Sequence, residues 1–253
     1  MRVLDLFSGV GGFSLGLERA GMQTVAFCEI DPFCRRVLAK HWPEVPCYDD
    51  VRTLTAARLA ADGSGSIEVV CGGFPCQDIS TASASPAGLA GERSGLWREY
   101  ARVIGELRPQ FVVVENVSAL RIAGLSEVLG DLASLGYDAE WDCLPASSVG
   151  ASHPRDRIWV VAYPPKVFGQ AQRGHEPRRL LSRDGLLGFV HYQGREDCFA
   201  AWRAAEPGMA RGLHGVPDRV DRLGALSNAV VPQIPEYIGR AILAAAHHQK
   251  AAA

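Results

Sequence analysis

Residues Arg2–Gly21 read "RVLDLFSGVGGFSLGLERAG". A short apolar run, "RVLDLF", gives way to a cluster of glycines, and a helical pattern follows in which Phe13, Leu15 and Leu17 begin an apolar face. Gly21 stands where that helix should end, since glycine tolerates the left-handed backbone of a helix C-terminus. Strand, glycine turn and helix within twenty residues make the opening unit of a strand–helix–strand fold.

The pattern recurs further along. "TVAFCE" (Thr24–Glu29) leads into "DPFCRRVLAKHW" (Asp31–Trp42), with Asp31 as N-cap and Pro32 at the first helical position. "IEVVCGG", "FVVVEN" and "RIWVVAY" are continuous β-branched runs, the mark of strands buried on both faces of a parallel sheet. Helices are expected at 95–107 and 125–135. The expected fold is therefore α/β, a doubly wound Rossmann-like domain formed by residues 1–163 and 223–253. Residues 164–222, rich in Gly, Arg and Pro without a sustained period, are expected to form a small irregular domain. "IPEYIGRAILAAAHH" then returns to an amphipathic helix with Ile234, Ile238, Ile242 and Ala245 on one face, and the tail "QKAAA" is expected to be disordered.

Composition narrows the function classes. Of 253 residues, 47% are apolar and 21% charged, ordinary values for a soluble globular protein. No apolar run reaches the roughly 18 residues of a membrane span, and "MRVLDLFSG" is too short and acidic for a signal peptide. Seven cysteines without C-x-x-C spacing favour neither a disulfide framework nor a zinc site, so a reducing, cytoplasmic location is expected. The net charge of -2 hides a split: residues 166–222 hold ten Lys/Arg against seven Asp/Glu, leaving -5 for the remainder. Such asymmetry hints at a polyanion partner, with a solvated surface as the plainer reading.

Three stretches carry candidate chemistry. "DLFSGVGGFS" (Asp5–Ser14) frees backbone N–H groups for a ligand, but its G-x-G-G spacing is not the dinucleotide G-x-G-x-x-G. Glu29, at the end of the second strand, suits the hydroxyls of a ribose, a surface helix-capping acid being the alternative. In "GGFPCQDIS" (Gly72–Ser80) a cysteine sits between proline and glutamine where a strand runs into a loop, an odd place for a structural thiol. "FVVVENV" puts Glu115 at the end of the neighbouring strand candidate, so Cys76 and Glu115 can share one crevice as nucleophile and proton donor.

With those motifs in order, the chain resembles the cytosine-5 DNA methyltransferases. "DLFSGVGGFS" is similar to the family's S-adenosylmethionine motif, "GGFPCQDIS" to its nucleophile motif and "ENV" (Glu115–Val117) to its glutamate motif. "HPRDRIWVVA" (His153–Ala162) resembles the arginine motif and "ALSNAVVPQI" (Ala225–Ile234) the last motif. The resemblance implies a DNA (cytosine-5-)-methyltransferase of the short bacterial or phage type, using S-adenosylmethionine and no metal. It implies that the Cys76 thiolate adds to C6 of a flipped-out cytosine so that C5 can take the methyl group. Glu115 is implied to contact N3 and the exocyclic amine, Arg157 to hold the base and Glu115, and Arg155 to orient loop and base.

The cofactor pocket implied by the resemblance comprises Phe7, Ser8, Gly9, Gly11, Gly12, Glu29, Ile30, Asp50, Val51, Pro75, Leu96 and Asn228, with Asp50 accepting from the adenine amine. The loop "STASASPAGLAGERSGLW" (Ser80–Trp97) resembles the one that closes over DNA, with Ser80, Ser83, Ser85 and Arg93 as contacts. Residues 164–222 would be the target-recognition domain, with Arg173, Arg178, Arg179, Arg183 and Arg195 as candidate base or phosphate contacts. Double-stranded DNA is the implied partner of a monomer, with a restriction endonuclease acting separately. Two departures stand out: His153 replaces the usual glutamine, and Ser227 a common glycine. The alternatives are a transfer-RNA methyltransferase and an inactive DNA-binding relative. The transfer-RNA branch carries Cys-Phe-Thr where this chain has Cys198-Phe199-Ala200.

Overall fold

Seven strands form one sheet: β1 (Arg2–Leu6), β2 (Gln23–Cys28), β3 (Cys47–Tyr48), β4 (Val69–Gly72), β5 (Phe111–Val117), β6 (Asp138–Pro145) and β7 (Asp156–Tyr163). Their order is β3-β2-β1-β4-β5-β7-β6. The computed structural model describes residues 1–75, 95–151, 153, 155–165, 180–182, 185–186, 225 and 228–252, with side chains to residue 247. From β3 to β5 all neighbours run parallel. The chain moves outward from β1 to β3 and then returns to place β4 on the other side of β1. A crevice therefore opens between the carboxyl ends of β1 and β4, the position at which such sheets bind ligands.

Local chemistry explains the helices. Gly11 starts α1 (Gly12–Arg19) at φ +85° and Gly21 follows it at φ +105°. The Asp31 carboxylate caps α2 (Pro32–His41), accepting from the amides of Phe33 at 2.7 Å and Cys34 at 3.2 Å. Helices α3 (Ala56–Ala61), α4 (Leu96–Leu107), α5 (Leu120–Ala123) and α6 (Leu125–Ser134) complete the first part of the chain, and α7 (Gln233–Ala252) closes it.

Strand residues alternate between two cores, as a period of two requires. Leu4, Leu6, Val70, Val112 and Val114 pack with Trp97, Tyr100, Ile104, Val128 and Leu132 of α4 and α6. Val3, Val69 and Val113 face the other way, onto Phe13 and Leu17 of α1 and Ile234, Ile238 and Ile242 of α7. Each such side chain contributes about 1.5–3 kcal/mol by leaving water. The expected apolar face of α7 is thus buried, Ala245 included.

Two expectations need correction. β7, the "RIWVVAY" strand, is buried on both faces but runs antiparallel to both β5 and β6. Only about ten residues separate β6 from β7, and the described ones include the 3-10 turn Ala146–Val149. A parallel crossover needs roughly a dozen residues or more, usually a helix, so this link can only reverse the chain. Burial on both faces does not distinguish the two directions. The tail "QKAAA" was expected to lie outside the helix, yet α7 continues to Ala252. Ala, Gln and Lys are strong helix formers and nothing between His248 and Ala252 breaks the ladder.

Within residues 164–222, three described side chains belong to the second core: Leu180, Leu181 and Leu186 are all buried there. The Glu140 carboxylate on β6 accepts from the amides of Leu180 at 2.9 Å and Leu181 at 3.3 Å, and from the Tyr163 hydroxyl at 2.8 Å. The Tyr237 hydroxyl of α7 donates to the Ser182 carbonyl. Leu180, Leu181, Ser182 and Leu186 are thereby seated on the sheet. Among the described residues no helix is long and apolar enough to cross a membrane.

Candidate active site

The loops that leave β1, β2 and β3 gather the residues expected to hold the cofactor. After β1, Phe7 adopts φ +54° and its ring stacks on Tyr100 with centroids 6.2 Å apart. The Ser8 hydroxyl donates to the Asp5 carbonyl at 2.6 Å. Gly9, at φ +54°, has open space where a side chain would stand. Glu29 follows β2 and is buried, which removes the surface-cap reading. Its Oε2 accepts from the Gly9 amide at 2.7 Å and its Oε1 from the Asp31 amide at 2.8 Å. One carboxylate therefore fixes both loops at the crevice.

Ile30, beside it, is 68% exposed, an apolar side chain left facing solvent at the mouth. Beyond β3, Asp50 caps the turn Val51–Thr53 by accepting from the Arg52 amide at 2.9 Å, and Val51 is buried beneath it. Leu96 packs partly buried at the start of α4. Asn228 is exposed, and two residues later the Val230 carbonyl lies so close to Gly12 that a Cβ there would strike it. The last motif is thereby brought onto the glycine loop, 218 positions away in the chain. Open space over Gly9 leaves room for a ligand against the backbone and the exposed Ile30 offers it an apolar face, so the residues present are compatible with a nucleoside cofactor. Among the described residues no cluster of His, Cys, Asp or Glu could hold a metal ion.

The second half of the site lies at the ends of β4 and β5, which are neighbours as expected. A Cβ on Gly73 would lie 2.7 Å from Glu115 Oε2, so glycine lets the chain leave β4 across that carboxylate without displacing it. Phe74 is buried with its ring centroid 5.4 Å from that of Trp97, and Pro75 follows partly buried. Glu115 is 8% exposed and forms an ion pair with Arg157, Nε to Oε1 at 3.0 Å.

The antiparallel direction of β7 makes this pair. Arg157 lies opposite Val117 at the start of β7, while Glu115 lies near the end of β5. A parallel β7 would have put its first residues at the far edge of the sheet. Arg155, at φ +29°, precedes the strand on the same edge, and His153 is exposed. Burial pushes the Glu115 carboxyl upward, and Arg157 and Arg155 only partly offset it. Arg155 is itself lowered, first by burial and then by Arg157. A carboxyl held up by burial can keep a proton for a ring nitrogen while two guanidiniums stand by to neutralise its ionised form.

Cys76, Ser80, Ser83, Ser85, Arg93, Arg173, Arg178, Arg179, Arg183 and Arg195 lie outside the described residues. Two residues had no role in the sequence reading although both stood inside quoted motifs. Asp5 is buried in β1 and accepts from the Ser14 hydroxyl at 2.7 Å; Asn116 is buried at the end of β5. The available signal was a polar residue in an otherwise apolar strand.

Residues 1–178 match the C-5 cytosine-specific DNA methylase family. The chain belongs to that family. Similar relatives include the Type II methyltransferase M2.BsuMI of Bacillus subtilis, 34% identical over 64% of this chain and 42% of that protein. Another is the Type II methyltransferase M.CviJI of Paramecium bursaria Chlorella virus IL3A, 32% identical over 87% of this chain and 57% of that protein. The chain thus spans about half the length of the curated relatives it matches. A prophage-encoded DNA modification methyltransferase candidate from E. coli superposes with a TM-score of 0.55 at 27% identity, over 71% of this chain and 53% of that one. S. pombe Dnmt2 methyltransferase has the same fold, with a TM-score of 0.54 at 21% identity, over 71% and 59% of the two chains. The fold of this C-5 cytosine methylase family member is accordingly Rossmann-like, as its sequence pattern implied.

Proposed function

We propose that this C-5 cytosine methylase family member transfers a methyl group from S-adenosylmethionine to C5 of a cytosine in duplex DNA. The observation that carries the reading is the buried Glu115–Arg157 pair at the carboxyl edge, touching the glycine from which the chain departs toward Cys76. S-adenosylmethionine supplies a methyl group on a sulfonium, with Gly9, Gly11, Gly12, Glu29, Ile30, Asp50, Val51 and Leu96 around it and Phe7, Ser8, Pro75 and Asn228 completing the pocket. The Cys76 thiolate adds to C6 of the ring. Glu115 holds N3 and the exocyclic amine, so the electron pair released to C5 does not leave a bare anion on the ring. Arg157 orients Glu115, and Arg155 orients the loop and base. Removal of the C5 proton after methyl transfer expels Cys76 and restores the aromatic ring. The cytosine must leave the stack for the thiol to reach C6.

Residues 164–222 are proposed to choose the DNA sequence, with Leu180–Leu186 as the anchor that seats this segment on the catalytic domain. Arg173, Arg178, Arg179, Arg183 and Arg195 are the proposed base and phosphate contacts, with Ser80, Ser83, Ser85 and Arg93 on the loop over the target. Type II relatives make a separately acting restriction endonuclease a reasonable companion, and the enzyme is proposed to act as a monomer in the cytoplasm of a bacterium or phage-infected cell. Tritiated S-adenosylmethionine is mixed with unmethylated duplex DNA and, in parallel, transfer RNA, and the DNA product is sequenced after bisulfite. Transfer to cytosine C5 in DNA, abolished in Cys76→Ala, is the expected result. Wild-type transfer by Cys76→Ala, or label in transfer RNA alone, would refute the proposal.

A further inference from the structure

Asn116 makes two hydrogen bonds that join the acid-bearing strand to the chain leading to the thiol. Its Nδ2 donates to the Phe74 carbonyl at 3.1 Å, and its Oδ1 accepts from the Val117 amide at 2.7 Å. Asn116 is 3% exposed, so water does not compete for either bond. The amide orientation is unambiguous, because an N–H can only donate and a carbonyl can only accept. Phe74 is two residues before Cys76 in the chain, and one residue after the Gly73 whose backbone rests on Glu115. Glu115 and Asn116 are consecutive in β5 and point to opposite faces. One touches Gly73, and the other holds Phe74. The end of β5 thereby grips both residues at which the chain leaves β4.

We propose that Asn116 is a positioning residue that fixes the direction in which the chain leaves β4 toward Cys76 by pinning the Phe74 carbonyl to β5. The proposal rests on the reading of Cys76 as nucleophile and adds to it a residue that touches neither cytosine nor cofactor. Covalent addition tolerates little error in approach, and a misplacement of about 1 Å can cost about 100-fold in rate. Phe74 is also held by Trp97, so its ring stays buried without Asn116. What Asn116 adds is control of the carbonyl, and hence of the direction in which the backbone departs.

Asn116→Asp tests the bond selectively. Once ionised, the substituted carboxylate still accepts from Val117 but cannot donate to Phe74, and it has nearly the same volume; a buried acid that keeps its proton can still donate, so this variant is assayed at pH 9 as well as pH 7. Asn116→Ala removes both bonds. With full-length protein, unmethylated duplex DNA and tritiated S-adenosylmethionine, both variants should lose about 10- to 100-fold in kcat. KM for S-adenosylmethionine should stay within about twofold of wild type, because the glycine loop and Glu29 lie on other strands. Adduct formation with 5-fluorocytosine DNA in a single turnover should slow in proportion to kcat. A kcat within about twofold of wild type in Asn116→Ala overturns the inference. A collapse of the melting temperature with cofactor binding lost in both variants also overturns it, since the role would then be purely structural. Retained transfer by Cys76→Ala would instead overturn the nucleophile reading, a result independent of the Asn116 measurements.

Discussion

Asp5→Asn should make the protein more stable above about pH 4 and leave it nearly unchanged in stronger acid. Asp5 is fully buried in β1, with its carboxylate accepting from Ser14 at 2.7 Å and its strand partner Cys71 also buried. Burial raises its carboxyl from the ordinary 3.8 to about 7, the Ser14 hydroxyl pulls it partly back, and the Glu29 charge adds to the rise. Cys71 is held as the neutral thiol, chiefly by its own burial and then by Asp5, and the buried Tyr100 phenol is raised as well. Between pH 4 and 7 the folded protein keeps a proton on Asp5 that the unfolded chain has released. Stability from this group is therefore complete below about pH 4 and is lost as pH rises to about 7. At 1.36 kcal/mol per tenfold change in proton activity, the loss is about 4 kcal/mol.

An asparagine at this position cannot ionise and can still accept from Ser14, so it mimics the protonated acid at every pH. Urea unfolding followed by far-ultraviolet circular dichroism at pH 4.5, 6 and 8 measures the difference between the two proteins. That difference should be about 1 kcal/mol at pH 4.5, about 3 kcal/mol at pH 6 and about 4 kcal/mol at pH 8, in favour of the variant throughout. Taking the difference cancels Glu115, which is raised in both. A difference independent of pH would refute the reasoning, because a buried carboxyl that ionises freely inside the sheet has no such linkage.

Three further outcomes are expected. Arg157→Ala leaves Glu115 buried without its 3.0 Å partner and should cost about 3 kcal/mol at pH 8, less as Glu115 takes up a proton in acid, with methyl transfer falling at least tenfold. Gly73→Ala puts a methyl group 2.7 Å from Glu115 Oε2, so transfer should fall more than tenfold while the melting temperature moves by only a few degrees, since a side-chain end can shift where a backbone could not. Glu140→Gln turns an amide donor toward either Tyr163 or the Leu180 and Leu181 amides, and should cost about 1–3 kcal/mol with faster proteolysis near residue 180.

Local chemistry made much of the molecule readable in one dimension. Asp31 and Pro32 announce α2 because capping and a preset φ act within a single turn. The apolar stripe Ile234, Ile238, Ile242 and Ala245 announces a helix with one buried face, because side chains at that spacing stack along one side. Val69–Gly72 and Phe111–Val117 read as buried strands, and their adjacency follows from their role at the centre of the sheet. β3 escaped notice because two residues, Cys47 and Tyr48, are too few to show a period. β6 escaped because an edge strand with the pattern "DAEWDCLP" carries charges that obscure any apolar run.

Tertiary structure decided the direction of β7 and everything that depends on it. A strand buried on both faces looks the same in sequence whichever way it runs, so "RIWVVAY" could not reveal that its beginning lies where β5 ends. That reversal sets Arg157 against Glu115, residues 42 positions apart, and makes a buried carboxyl compatible with an ion pair. The contact between Gly12 and the Val230 carbonyl, the hold of Glu140 on Leu180, and the grip of Asn116 on Phe74 are likewise meetings of distant segments. Residue type and short-range spacing state which groups a chain has available, because capping, turn and helix preferences act over a few residues. Which of those groups touch depends on packing between elements, where the energies come from buried area and satisfied hydrogen bonds that no local pattern records.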